Sequence, residues 1–290
     1  MTVRGEAAVG ARVSASVTAG GLLWISRTLL GLLVIYPLLL AVEASGMVSG
    51  PDGDAVLFRP GSLLLLELVR VASAELGAAF KVLLLLGGLA MLAQLVVLAA
   101  ALDVLSDEPS SLRERIGRSF GLFPRFLGLS AITLLAQAAL LLAASLLGAA
   151  FKSALHENAE RWRDIAPLAL LSLGVVACAA CGGVQDIARA SLVQEEQSAR
   201  EALVRAVTRL RQQPWSVLIG WYPSAAGALL AYLVAAWLTQ RVALESASHR
   251  AIAASFAAHQ LAVLLGIACR VRWLRAALSL ADDQGDSSLR

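Results

Sequence analysis

The sequence has few charged and few aromatic residues for its length. Charged residues occupy 16% and aromatic residues 6% of the 290 positions, whereas a soluble domain is about 25% charged. The hydrophobic fraction is 58% and the mean hydropathy is +0.74. One soluble core of this size cannot bury so much apolar surface. The composition therefore excludes an ordinary soluble domain and indicates that lipid surrounds most of the chain.

Residues that carry chemistry are also scarce. The sequence has three histidines and three cysteines, and all the cysteines lie in apolar runs, which argues against a disulfide framework. Cys178 and Cys181 form a CxxC without a second pair or a nearby histidine, so we interpret them as small packing residues. The sequence contains no Walker loop, HExxH, GxSxG or nucleotide fingerprint. We expect no cofactor, no metal and no enzymatic activity. Arginines that alternate with acids argue against nucleic-acid binding.

What the sequence does have is long apolar runs. A bilayer core about 30 Å thick needs roughly 20 apolar residues in a helix, and six runs meet this length. The chain is therefore predicted to be an all-α polytopic membrane protein with one membrane domain over 1–290. The six predicted spans are Gly21–Val42, Val82–Leu102, Phe126–Ala150, Ile165–Val184, Trp215–Gln240 and Ala251–Cys269.

The first run raises the question of a signal peptide. Small residues around Ala44, in "AVEAS", are compatible with a cleavage site. The run is longer than the 7–15 residues of a typical signal-peptide core, and about twenty residues precede it. We therefore expect this segment to be retained as a helix.

The basic residues are unequally distributed between the two predicted sides of the membrane. Of the 24 lysines and arginines, fifteen lie with the two termini and the links 103–125 and 185–214, eight lie in the opposite links, and Arg27 lies inside the first span. Basic residues favour the cytoplasmic side. The sequence therefore predicts a protein of the bacterial inner membrane with both termini in the cytoplasm.

Two of the inner links contain a related motif. "SLRERIGRSF" begins at Ser111 and "SAREALVRAV" begins at Ser198, and both have Ser-x-x-Glu at their start. This is the pattern of a capping box, in which the serine and the glutamate satisfy free amides at a helix start. Ser111 with Glu114, and Ser198 with Glu201, are therefore predicted to begin two helices.

Each predicted inner helix has an apolar stripe and a basic opposite face. We expect such helices to lie along the inner leaflet, with arginines near anionic headgroups, or to pack beneath the bundle. A proline, Pro124 or Pro214, follows each helix where the chain is expected to turn back into the membrane. The two apolar stripes consist of Leu112, Ile116, Phe120 and Phe123, and of Ala199, Leu203, Val207 and Leu210.

The spacing of these motifs suggests a tandem repeat. The chain ends in "DSSLR", which resembles "PSSLR" before the first inner helix. We interpret the chain as three helical hairpins that enter the membrane from the same side, which makes a parallel repeat. The approximate pseudo-repeats are 21–123, 124–210 and 214–290.

One outer segment, "LFRPGSLLLLELVR" at 57–70, is too short to cross the bilayer and too apolar for a solvated loop. Glu67 and Arg70 lie one turn apart, opposite its apolar face. It is predicted either as an outer-leaflet helix or as an outward extension of the second span from Leu63. A docking face for a partner is a third interpretation.

Few polar side chains fall inside or at the ends of the spans. Gln94, Gln137 and His259 lie within spans, where an amide or imidazole needs a hydrogen-bond partner. We favour structural roles for them over a substrate path or a proton relay, although buried ionisable groups in membranes are often functional. Asp186 and Arg189 lie one turn apart at the inner end of the fourth span and are predicted to form an ion pair.

Small residues recur every four positions on two of the spans. Such faces let helix backbones approach closely, within one chain or between copies. The residues are Gly174, Cys178 and Gly182 on the fourth span, and Ala254, Ala258, Ala262 and Gly266 on the sixth.

Two inner segments give the chain a resemblance to a known group. They are "DIARASL" at 186–192 and "SAREALVRAVTRLRQQPW" at 198–215. With the six-span layout, they resemble the six-helix integral membrane domains of bacteria, such as those that precede some glycerophosphodiester phosphodiesterases. The resemblance implies a six-helix membrane fold. It implies no activity, since this sequence does not contain the phosphodiesterase catalytic domain.

Three hypotheses for function follow. The first is a non-enzymatic scaffold or accessory subunit that contacts membrane lipids and either a membrane-protein partner or further copies of itself. The second is a small permease, or part of one, for an apolar or lipid-like solute. The third is a lipid-modifying membrane enzyme, which requires acids and a histidine at one membrane face.

Overall fold

The computed structural model describes residues 3–44, 73–106, 111–154, 160–195, 197–245 and 249–282. The outer segment 57–70 and the C-terminal "DSSLR" lie outside these residues. Within the described ranges the chain forms seven helices. They are α1 (Val3–Ala44), α2 (Ser73–Leu105), α3 (Leu112–Ala154), α4 (Glu160–Gln194), α5 (Ala199–Gln212), α6 (Pro214–Glu245) and α7 (His249–Asp282).

Six of these helices are long and apolar enough to cross a membrane, and each contains one of the six predicted apolar runs. The all-α class is confirmed. The six helices are α1, α2, α3, α4, α6 and α7. Many of their large apolar side chains point away from the protein, and Leu135, Leu173 and Ile219 are each about two thirds exposed or more. Apolar surface on this scale is typical of a surface that contacts lipid.

α1 begins earlier than the apolar run predicted. The helix starts at Val3 rather than near Gly21, and it continues through Pro37. The added residues include several alanines, which have the highest helix propensity. Hydropathy locates the apolar part of a helix and not its ends, so the helix extends well beyond the predicted span.

The first inner motif does not form a separate helix that ends before Pro124. Instead, residues from Leu112 onward are the first turns of α3, which continues through Pro124 to Ala154. A proline removes one backbone hydrogen bond and crowds the preceding turn, at a cost of about 3 kcal/mol in a helix interior. Ser119 and Phe126, on either side of the proline, are completely buried, and this packing offsets the cost of the proline. The second motif differs, because α5 ends at Gln212 and α6 begins at Pro214.

The chain divides into two compact units, Met1–Ala101 with Ser224–Val271, and Leu102–Pro223 with Arg272–Arg290. Their boundaries do not coincide with those of the pseudo-repeats, which stay a prediction. The first unit contains α1, most of α2 and the adjoining parts of α6 and α7.

In the first unit, polar bonds and small residues join the helices. Trp24 Nε1 of α1 donates to Gln260 Oε1 of α7 over 3.3 Å. A Cβ added at Gly266 would lie 3.4 Å from the ring of Tyr232, so this glycine allows α7 to approach α6 closely.

In the second unit, α3 and α4 form a closely packed antiparallel pair. A Cβ added at Gly174 would lie 2.8 Å from the Cβ of Ala144, and one at Gly148 would lie 3.2 Å from the Cα of Pro167. No side chain fits at Gly174 unless the helices move apart. The absence of side chains at these glycines therefore sets the distance between the two helices.

Candidate functional site

A group of buried and half-buried polar side chains joins three helices of the second unit. We call it the buried polar cluster, and it comprises Ser130 of α3, Gln185, Asp186 and Arg189 of α4, and Trp273 of α7. Asp186 is 1% exposed, Arg189 is 7% exposed and Trp273 is 2% exposed. Charged side chains this deeply buried are stable only when they are paired and hydrogen-bonded.

Both carboxylate oxygens of Asp186 have partners. Oδ1 accepts from Arg189 Nη1 over 3.4 Å, and the two side chains form an ion pair one turn apart. Oδ2 accepts from Trp273 Nε1 over 2.9 Å. A Cβ at Gly220 of α6 would come within 3.0 Å of the Trp273 ring, so this glycine provides the space that the indole occupies.

Arg189 and Gln185 connect α4 to α3. Arg189 Nη2 donates to Ser130 Oγ over 2.9 Å, and Gln185 Nε2 donates to the same oxygen over 3.3 Å. The Ser130 hydroxyl in turn donates to the carbonyl of Phe126 over 2.8 Å. The guanidinium carbon of Arg189 also lies 5.8 Å from the centre of the Phe126 ring, within the range of a cation–π contact.

These contacts fully occupy the hydroxyl of Ser130. The Ser130 hydroxyl donates one bond and accepts two, which is the full capacity of a hydroxyl. A nucleophile would need a general base beside it, and none of the bonds to Ser130 comes from one. What the arrangement can do is join α3, α4 and α7 through a neutralised buried charge.

Gln137 lies further along the same pair of helices. Its side-chain Nε2 donates to the backbone carbonyl of Cys178 over 2.9 Å, and the thiol of Cys178 donates to the backbone carbonyl of Gln137 over 3.4 Å. The two bonds are reciprocal, and both connect α3 to α4. Gln137 therefore contacts protein backbone rather than another polar side chain.

Gln94 and His259 both belong to the first unit, but each has its own partners. Gln94 Nε2 donates to Ser26 Oγ of α1 over 3.3 Å. His259 Nδ1 lies 3.2 Å from Thr239 Oγ1 of α6 and 3.0 Å from the Ser255 carbonyl. The imidazole is exposed on the apolar exterior of α7, so it does not line a polar cavity with Gln94.

The two Ser-x-x-Glu motifs have the same local geometry. The amides of Ser111 and Ser198 donate to the carboxylates of Glu114 and Glu201 over 2.9 Å in each case. The glutamate amides donate to the serine hydroxyls over 3.3 Å in each case. Both helix starts thus have the reciprocal bonds of a capping box. At Glu201, the hydrogen bonds from Ser198 lower the pKa of the carboxyl below its ordinary value, with a smaller contribution from the charge of Arg205.

An arginine seven residues after each capping serine also pairs with an acid on the preceding segment. Arg118 Nη2 lies 3.2 Å from Asp103 Oδ2, and Arg205 pairs with Glu195. Arg115 donates to the backbone carbonyl of Asp103. These bonds connect the start of α3 to the end of α2, and α5 to the residue after α4.

Sequence reasoning missed Ser130, Gln185 and Trp273, although it singled out Asp186 and Arg189. Trp273 is 87 positions from Asp186, and Ser130 is 59 positions from Arg189. No local pattern predicts such pairs. The only available signal was composition, because the tryptophan between the arginines of "RVRWLR" has an indole N–H that needs an acceptor when it is buried.

The described parts of the chain hold no group of three or more His, Cys, Asp or Glu side chains that could bind a metal ion. The six long apolar helices are compatible with a multi-pass integral membrane protein. Comparison with protein-family models, with curated proteins and with solved structures finds no match to this chain.

Proposed function

We propose that the protein is a non-enzymatic component of a bacterial cytoplasmic membrane that acts through helix packing, as a scaffold or accessory subunit. One observation carries this proposal. The polar side chains expected inside the spans form bonds to neighbouring helices of their own unit: Gln94 to Ser26, Gln137 to Cys178 and His259 to Thr239. Groups engaged in this way hold helices together, whereas a transport path needs polar side chains that line a common cavity.

The orientation and the resemblance belong to the same proposal. The excess of arginines in the links that contain α5 and the start of α3 supports a cytoplasmic position for these links and for both termini. The similar capping boxes and arginine–acid pairs support the tandem repeat. The likeness to six-helix bacterial membrane domains is carried forward as a likeness in layout, without an activity.

Affinity purification from a mild detergent tests the role. We expect the full chain to be recovered with a stoichiometric membrane-protein partner or as a homo-oligomer of defined size. Liposomes that contain the purified chain should show no more leakage of solutes than empty liposomes. A monomer that carries solute across the bilayer would contradict the proposal and support a permease.

Cysteine labelling tests the orientation. In a variant without the three native cysteines, single cysteines replace Arg118, Arg205 and Arg250. An impermeant maleimide added outside intact cells should label only the cysteine at 250. Labelling at 118 or 205 under these conditions would invert the proposed topology.

A further inference from the structure

α5 has a clear protein-facing side, and it is not the apolar stripe expected from the sequence. Ala202, Ala206 and Arg209 are its buried residues, and their spacing of four and three places them on one helical stripe. This stripe packs on α4 and α3. The expected apolar residues Leu203 and Leu210 are only half-buried, so they are available to something other than the chain itself.

The side of α5 opposite the protein carries two arginines with valines between them. Arg200, Val204, Val207 and Arg211 follow each other at intervals of four, three and four, which forms one stripe along the helix. Both arginines are exposed, and Val204 is 58% exposed. Within the described residues neither guanidinium has a hydrogen bond or ion pair. In contrast, Arg205 of the same helix pairs with Glu195.

The two flanks between these sides differ in polarity. One flank carries Leu203 and Leu210, and the other carries Glu201, Thr208 and Gln212, which are all exposed. A helix with protein on one side, leucines on one flank and polar groups on the other matches the boundary between a membrane and water. In that setting the arginine stripe projects sideways, at the depth of the lipid headgroups.

The position of α5 in the chain agrees with this depth. Its 14 residues make a rod about 21 Å long, and it connects the ends of the apolar helices α4 and α6. Trp215, in the first turn of α6, is 73% exposed. Exposed tryptophans are enriched at membrane–water interfaces, and this one lies just after the end of α5.

We propose that Arg200 and Arg211 bind the phosphates of anionic phospholipids of the inner leaflet, while Leu203 and Leu210 contact the acyl chains. Arginine is suited to this role because its planar guanidinium forms two parallel, charge-assisted hydrogen bonds to a phosphate. This inference rests on the proposed function, because it requires α5 to lie at the inner face of a bilayer. To the proposed function it adds a class of ligand, the anionic phospholipids, and two residues that bind this ligand.

Native mass spectrometry of the full chain in detergent, titrated with phosphatidylglycerol or phosphatidylcholine, tests the inference. Each basic residue near an anionic membrane surface contributes about 1 kcal/mol, so Arg200→Gln with Arg211→Gln should weaken phosphatidylglycerol binding on the order of 30-fold. Phosphatidylcholine binding should not change. The matched control is Arg241→Gln with Arg250→Gln, which removes the same charge elsewhere and should bind phosphatidylglycerol as the unmodified chain does.

Equal phosphatidylglycerol binding by the two double variants would overturn the inference, as would equal binding of both lipids by the unmodified chain. Loss of a co-purified protein from the Arg200/Arg211 variant without loss of lipid would also overturn it, and would assign the stripe to a protein partner. A chain extracted from membranes by alkaline carbonate would instead contradict the proposed function. The two failures are therefore distinguishable.

A pair of cysteine variants gives a second measurement on the same helix. In reconstituted protein without the native cysteines, Glu201→Cys should react quickly with an aqueous maleimide, and Leu203→Cys should react at least tenfold more slowly. Equal rates in the bilayer would mean that the leucine flank does not contact lipid, which would overturn the inference.

Discussion

Trp273 of α7 and Asp186 of α4 are joined by a 2.9 Å hydrogen bond from the indole N–H to a carboxylate oxygen. Both side chains are almost fully buried, and the other carboxylate oxygen pairs with Arg189. On folding, the carboxylate therefore loses its hydrating water and accepts hydrogen bonds from one indole and one guanidinium instead. The bond determines which part of α7 lies beside the C-terminal part of α4, because an apolar contact would tolerate sliding and a directional bond does not.

Replacing Asp186 by alanine should destabilise the protein strongly. The change leaves the guanidinium of Arg189 buried without its counter-charge, and breaking a buried pair in this way costs about 3–5 kcal/mol. Thermal unfolding in detergent should show a large fall in Tm. The double variant Asp186→Ala with Arg189→Met removes both charges, so its Tm should fall less than that of the single variant. A double variant less stable than the single one would contradict this explanation.

Replacing Trp273 by phenylalanine tests the indole bond more selectively. Phenylalanine keeps an aromatic ring but has no N–H, so the variant should lose about 1.5–3 kcal/mol, the range for a hydrogen bond to a charged group. Trp24→Phe is the matched control. The Trp24 indole bonds a neutral amide at an exposed position over 3.3 Å, so its loss should lower the denaturation midpoint much less. Equal losses of stability in the two variants would mean that the charge on Asp186 does not strengthen the hydrogen bond from the indole.

The apolar runs and the two helix starts that have capping boxes could be predicted from the sequence, and the reason is local. An apolar run of about 20 residues has to be a helix in lipid, because only a helix satisfies its own backbone bonds there. A Ser-x-x-Glu motif acts within one turn. The bonds between Ser198 and Glu201 could therefore be predicted without knowledge of the fold.

The composition of the buried polar cluster could not be predicted, because it depends on contacts between residues that are distant in sequence. Asp186 and Arg189 are i and i+3 on one helix, so their pairing was predicted. Ser130 and Trp273 come from other helices. The prediction that a helix ends before Pro124 was wrong for a related reason. The intrinsic preference of proline to end a helix was outweighed by the burial of Phe126 nearby.

The close contact at Gly174 leads to a paired prediction on glycines. Gly174→Ala adds a Cβ that would lie 2.8 Å from the Cβ of Ala144, so α3 and α4 would have to move apart. We expect a loss of about 1–3 kcal/mol, the usual cost of overpacking. Gly128→Ala, in α3, meets no atom within 4 Å and should be neutral or stabilising by up to about 1 kcal/mol, through helix propensity.

Thermal unfolding of the two glycine variants decides the matter, with Ala144→Gly as the rescue. The combination of Gly174→Ala with Ala144→Gly exchanges the methyl group between the helices and should recover most of the lost stability. A stable Gly174→Ala single variant would mean that the α3–α4 distance is not set by this contact.

The reciprocal bonds between Gln137 and Cys178 predict a modest effect for Gln137→Leu. Interhelical hydrogen bonds of this type are worth on the order of 1 kcal/mol in membranes, so Tm should fall by a few degrees and no more. Gln94→Leu removes a different bond, to Ser26, and the two losses should add because the residues share no partner. A fall much larger than the sum in the double variant would indicate a common site, which would revive the permease hypothesis.

The stability of α5 should depend on pH through Glu201. The carboxylate accepts the bond from the Ser198 amide, so its pKa in the folded chain lies below the ordinary value of 4.5. A group whose pKa is lowered on folding stabilises the folded state above its ordinary pKa, and this contribution is lost as the pH falls through the folded value. Hydrogen exchange of the first α5 amides should therefore show constant protection from pH 7 down to about 5, and reduced protection in more acidic solution, once rates are corrected for intrinsic exchange. Glu201→Gln keeps a side-chain acceptor but cannot titrate, so this acidic loss should disappear. An unchanged pH profile in that variant would mean that groups other than the capping carboxylate control the start of the helix.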